Sequence, residues 1–276
     1  MVHKTIEPRI NTTLSSKEED NMTIPTLSLE GKFALVTGGR RGIGKTIALA
    51  FAEAGADVAV CDLIMDDGLL QGVAEEIKRS GRRSLAIQAD TSRKGDVERM
   101  VKEVLQEFGT LDILVNNAGT AAPGPLLDLP EDEWDRVIDV NLKGYYLCAQ
   151  AAGRAMVEQK KGAIICTASQ YAFKAAEGMG VYCISKAGVV MLVRVLSREL
   201  GSCGVRVNAI APGLVKTDLS RNDWEDPDIR TQREAETPLG RLAETDDLVG
   251  AALFLASDAS AYVSGHTILV DGGEIA

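Results

Sequence analysis

The sequence predicts an α/β fold, a doubly wound parallel sheet of about seven strands flanked by helices. Three observations predict it. From Lys32 onward, short apolar runs alternate with longer amphipathic stretches, which implies parallel strands joined by right-handed helical crossovers. The strand candidates are continuously apolar, so both sheet faces are covered. The 27 glycines suit a fold with many tight turns. The elements follow in order. Phe33-Ala-Leu-Val-Thr37 is the first strand, and a helix over 42–55 puts Ile43, Ile47, Leu49, Ala50 and Phe51 on its apolar side. Strand 57–61, helix 67–80 and strand 84–88 come next. Helix 94–108 carries Val97, Met100, Val101, Val104 and Leu105 at helical spacing. A fourth strand covers 111–115, and after a Pro/Gly loop (121–125) one long helix runs from 131 to about 159. Strand 162–167, helix 180–201, strand 205–210, helix 243–256 and strand 267–270 complete the pattern. No run of transmembrane length stands out.

Residues 219–242 break this rhythm. Arg221-Asn-Asp-Trp-Glu-Asp-Pro-Asp228 is strongly polar, and the segment is long for a connection, so it reads as a lid-like insertion. Residues 1–28 are polar and of mixed charge, without the apolar core of a signal peptide, and read as a flexible extension. That leaves 29–276 as a single domain. The net charge of −10 argues against a nucleic-acid surface. Cys61, Cys148, Cys166, Cys183 and Cys203 are odd in number and form no C-x-x-C pair, so free thiols in a reducing, cytoplasmic setting are expected. With only His3 and His266, the chain offers neither a zinc cluster nor a Ser-His-Asp set, and no metal site is expected.

The chemistry is expected from Tyr182-Cys-Ile-Ser-Lys186, with Ser169 thirteen positions upstream of the tyrosine. On a helix, Tyr182 and Lys186 share one face. An ammonium beside a phenol favours the phenolate, and a tyrosine acidified in this way works as a general acid or base. Ser169 is placed to hold the same substrate oxygen. The first strand runs into Thr37-Gly38-Gly39-Arg40-Arg41-Gly42-Ile43-Gly44. Glycines at 38, 42 and 44 let backbone approach a pyrophosphate, and the helix that follows offers free N–H groups. The second strand ends at Asp62, where a carboxylate accepts ribose hydroxyls and repels a 2′-phosphate. Arg40 and Arg41 argue the other way. The balance selects NAD over NADP.

Together these residues resemble the short-chain dehydrogenase/reductase family over roughly 29–276. Thr37-Gly-x-x-x-Gly-x-Gly44 is similar to its nucleotide turn, and Asn116-Asn-Ala-Gly119 to its motif after the fourth strand. The resemblance implies a Rossmann-like dinucleotide fold and a catalytic set of Asn141, Ser169, Tyr182 and Lys186. It implies a cofactor site drawn from Gly38, Arg40, Arg41, Gly42, Ile43, Gly44, Asp62, Asp90, Thr91, Asn117, Ala118, Gly119, Tyr182, Lys186, Pro212, Gly213, Val215 and Thr217. The expected activity is hydride transfer between the nicotinamide cofactor and a secondary alcohol or ketone, in a homotetramer acting on a small molecule and touching neither nucleic acid nor membrane. An NADPH-dependent reductase of 3-oxoacyl thioesters is the alternative, and a non-catalytic nucleotide sensor the alternative of another class. Tyr171, Phe173, Glu177, Met179 and the 219–242 segment are the expected substrate wall.

Overall fold

A computed structural model describes residues 25–276; the part of the expected N-terminal extension before residue 25 lies outside the described residues. Seven strands pair in parallel throughout: β1 (Phe33–Thr37), β2 (Asp57–Asp62), β3 (Ser84–Gln88), β4 (Ile113–Asn116), β5 (Gly162–Thr167), β6 (Val205–Pro212) and β7 (Thr267–Val270). Their spatial order is β3-β2-β1-β4-β5-β6-β7. The chain therefore builds outward from β1 in one direction, then returns to build from β4 in the other. That reversal leaves a crevice at the carboxyl ends of β1 and β4, where ligands bind in such sheets.

The apolar strand residues face both ways. Leu35, Ala59, Leu114 and Ile164 pack under α3 (Lys94–Phe108), α5 (Gly144–Gln159) and α6 (Gly180–Leu200). Val36, Val58, Val60 and Val115 pack under α1 (Gly42–Glu53), α2 (Leu69–Arg79) and α9 (Val249–Ala256). Burial on both faces explains why the strands read as unbroken apolar runs.

Two expectations need correction, and the 219–242 segment gains detail. The helix expected over 131–159 is not continuous: α4 (Glu131–Ile138) passes through a π-helical turn at Asp139–Lys143 before α5 begins. The wider turn carries Asn141 into the interior, an arrangement that recurs at functional positions. The 219–242 segment is largely helical, with α7 (Arg221–Glu225) and α8 (Pro227–Glu236). The Asp226 carboxylate accepts from the N–H groups of Asp228 (2.9 Å) and Ile229 (3.1 Å), and Pro227 opens the helix, so local capping holds it. Finally, Gly180–Cys203 is long and apolar enough to cross a membrane by length and composition. Here it packs against β6 and the sheet core through Val189, Val190 and Val193, while Val181 packs with Ala122 and Val137.

Candidate active site

The turn after β1 is shaped by contacts that exclude side chains. Gly38 and Gly42 have φ of 64° and 55°, the left-handed region that favours glycine. A Cβ on Gly44 would lie 2.1 Å from the Gly38 carbonyl oxygen and 2.5 Å from Asn117 Nδ2. Asn117 ties the turn to the end of β4. Its Nδ2 donates to the carbonyls of Thr37 (3.1 Å) and Gly38 (3.2 Å), and its Oδ1 accepts from the Thr167 hydroxyl (3.3 Å). Thr37 Oγ1 accepts from the N–H groups of Asn117 (2.9 Å) and Ala118 (3.1 Å). No side chain caps α1, so its first N–H groups stay open to an anion. A cradle without side chains at a helix N-terminus fits a dinucleotide pyrophosphate.

Asn141, Ser169, Tyr182 and Lys186 converge beside this turn. Lys186 is buried; its Nζ donates to the Thr167 carbonyl (2.7 Å) and to Tyr145 Oη (3.5 Å), and lies 5.6 Å from the Tyr182 ring centre. Burial pulls the Lys186 ammonium down to about 8. Burial also pushes the Tyr182 phenol up to about 12, and a hydrogen bond with Ser169 opposes that push. This corrects the expectation that Lys186 acidifies the phenol: the ammonium sits against the ring and binds elsewhere, so desolvation prevails. Tyr182 is half-buried and lines the cleft. Asn141 is fully buried and fully used. Its Nδ2 donates to the Thr120 carbonyl (2.9 Å) and Ser185 Oγ (3.1 Å), and its Oδ1 accepts from the Thr120 N–H (2.9 Å). It thereby fixes the loop after β4 against α6.

A cleft of about 580 Å³ joins the two groups. Gly38, Arg40, Arg41, Gly42, Ile43, Asp62, Asp90, Thr91, Asn117, Ala118, Gly119, Tyr182, Lys186 and Thr217 all line it. Gly44 lies beneath the turn. Pro212, Gly213 and Val215 are off the wall; Gly213 packs on Asp271, and Val215 bridges to Ala243. Asn141 and Ser169 are buried next to the wall. Both arginines are paired with acids, Arg40 with Asp62 and Asp67 and Arg41 with Asp218 (2.6 Å), and of these sequence reasoning missed Asp67 and Asp218. Asp218 directly follows Thr217, which was the available signal; nothing local marks Asp67 as a partner. On the substrate side, Tyr171 meets Tyr182 edge-on at 6.4 Å. Among the described residues no cluster suited to a metal ion occurs.

Residues 38–274 match the family profile described as Enoyl-(Acyl carrier protein) reductase. The chain is 43% identical over 242 residues to the 3-oxoacyl-acyl-carrier-protein reductase FabG of Staphylococcus epidermidis (strain ATCC 35984), covering 88% of this chain and 98% of that one. It is 44% identical over 248 residues to the 2-dehydro-3-deoxy-D-gluconate 5-dehydrogenase of Pseudoalteromonas atlantica, covering 89% and 96%. The crystal structure of a gluconate 5-dehydrogenase from Burkholderia cenocepacia J2315, in complex with NADP and tartrate, superposes with a TM-score of 0.87 at 34% identity, covering 91% and 98%. With this sheet order and this cleft, the chain belongs to the short-chain dehydrogenase/reductase family and is an NAD(P)-dependent oxidoreductase.

Proposed function

We propose that the protein interconverts a secondary alcohol and a ketone, with NAD as the preferred cofactor and Tyr182 as the general acid/base. The observation that carries this reading is that Tyr182 and Lys186 open onto the same cleft as the glycine turn. The residues fit the cofactor: the turn and the α1 N-terminus would hold its pyrophosphate, Asp62 the adenosine ribose, and Lys186 the second ribose. When bound, the nicotinamide supplies or takes up the hydride. Tyr182 gives its phenolic proton to the carbonyl oxygen in reduction, or takes the alcohol proton in oxidation. Ser169, beside the phenol, holds the same oxygen and orients it. Lys186, poised near pH 8, keeps positive charge beside the Tyr182 ring at neutral pH.

Asp62 supports NAD. Its carboxylate ends β2 on the cleft wall, and both nearby arginines already have acidic partners, so a 2′-phosphate would meet uncompensated negative charge. A second reading, reduction of 3-oxoacyl thioesters, is favoured by the likeness to FabG. A panel of sugar-derived alcohols, simple ketones and 3-oxoacyl thioesters, followed at the nicotinamide absorbance with NADH and NADPH, tests both. Turnover of free alcohols and ketones with NADH is expected. Turnover of thioesters alone, with NADPH alone, would overturn the main reading in favour of the second. The exposed apolar side chains Tyr146 on α5 and Ile184, Met191 and Val195 on α6 support a homotetramer, which light scattering of the purified protein would test. Five free cysteines support a reducing, cytoplasmic setting.

A further inference from the structure

Arg40 stands where a 2′-phosphate would draw a cation, yet the structure commits it to acids. Its side chain is 8% exposed, on the cleft wall beside Asp62. Nη1 donates to Asp67 Oδ2, and Nε lies 3.5 Å from Asp62 Oδ1 with no hydrogen-bond partner of its own. Asp67 is anchored in turn. Its other oxygen accepts from the Leu69 N–H at 3.0 Å, where α2 begins. Asp62 is anchored as well, accepting from the Ile64 N–H at 3.1 Å. One guanidinium thus faces two fixed carboxylates, and the patch keeps a net negative charge. Arg41 differs: its partner Asp218 and its own side chain are both substantially exposed, so solvent screens that pair.

Resting on the NAD reading above, we propose that Asp67 is a second determinant of cofactor specificity. By holding the Arg40 guanidinium on the loop before α2, it denies a 2′-phosphate the cation that would otherwise recognise it, and adds repulsion of its own. Asp67 is a positioning residue: it acts through Arg40. Neutralising it leaves Arg40 balanced by Asp62 alone, with guanidinium N–H groups free to turn toward the cleft.

Calorimetric affinities for NADH, NADPH, 5′-AMP and adenosine 2′,5′-bisphosphate test this without relying on turnover. They are measured on the wild type, Asp67→Asn, Arg40→Ala and the double variant. Asparagine keeps an oxygen for the Leu69 N–H, and Asp67→Ser repeats the test should the first variant melt early. The expected result is a shift of at least about tenfold in the NADPH-to-NADH affinity ratio toward NADPH in Asp67→Asn. A parallel gain is expected for the bisphosphate over 5′-AMP, with both gains lost when Arg40→Ala is added. A shift below about threefold in folded protein, or a gain that survives Arg40→Ala, would overturn the proposal. Wild-type protein that binds NADPH more tightly than NADH would overturn the NAD reading instead, and the Asp67 proposal would still be judged by its own ratio shift.

Discussion

The glycine turn lines the cleft, the α7–α8 segment follows the Thr217–Leu219 wall as a looser end, and the two are held by different physics. The turn is locked by backbone contact: Gly44 leaves no room for a methyl group, and Asn117 and Thr37 bind main-chain atoms of neighbouring strands. The α7–α8 segment buries none of its helical residues and is held by surface charge and one indole hydrogen bond, Trp224 Nε1 to the Thr217 carbonyl at 2.9 Å. Backbone packing fixes the part that every dinucleotide requires. The exposed helices α7 and α8 carry no such packing constraint.

The largest expected effect breaks the rigid end. Gly44→Ala would drive its Cβ into the Gly38 carbonyl, costing about 3 kcal/mol. A melting curve and an NADH titration should show lower stability and cofactor affinity weakened by roughly a hundredfold; near wild-type values for both would show that the turn yields.

The next effect lies between the two ends, in the pH profile. Burial raises the Tyr182 phenol to about 12, so the protonated acid needed for reduction persists through neutral pH, while the base needed for oxidation grows as pH rises. Oxidation should climb about tenfold per pH unit from about pH 7 until Lys186 begins to lose its charge near pH 8, then less steeply. Reduction should hold its rate through the same window. Oxidation fastest below pH 7 would contradict the assignment.

The smallest effect belongs to the loose end. Trp224→Phe removes one hydrogen bond worth about 1 kcal/mol, so the substrate KM should rise about fivefold. NADH affinity should change less than the KM does. If NADH affinity falls by more than the KM rises, the two ends are not separable in this way.

Periodicity was enough to read the sheet because strands buried on both faces leave unbroken apolar runs, as in Val58–Cys61 and Ile113–Val115. It could not show the π-helical turn at Asp139–Lys143, since one wider turn barely disturbs the apolar pattern of 131–159. That Tyr182 and Lys186 share one face was legible through local spacing, as was the glycine turn whose cleft they line. The pairings of Arg40 with Asp67 and of Arg41 with Asp218 were not, because they span 27 and 177 positions and depend on the fold that brings them together. The acidity of Tyr182 was misjudged for a related reason. Helical spacing places Lys186 near the ring, but the Thr167 carbonyl and Tyr145 decide where its ammonium goes.

Tyr182→Phe tests the central claim most directly, because it removes one hydroxyl and leaves the cleft otherwise in place. Calorimetry should show NADH bound within about threefold of the wild type, while turnover on the best substrate falls by at least about a hundredfold. Turnover above about a tenth of wild type, with NADH still bound, would show that another group moves the proton.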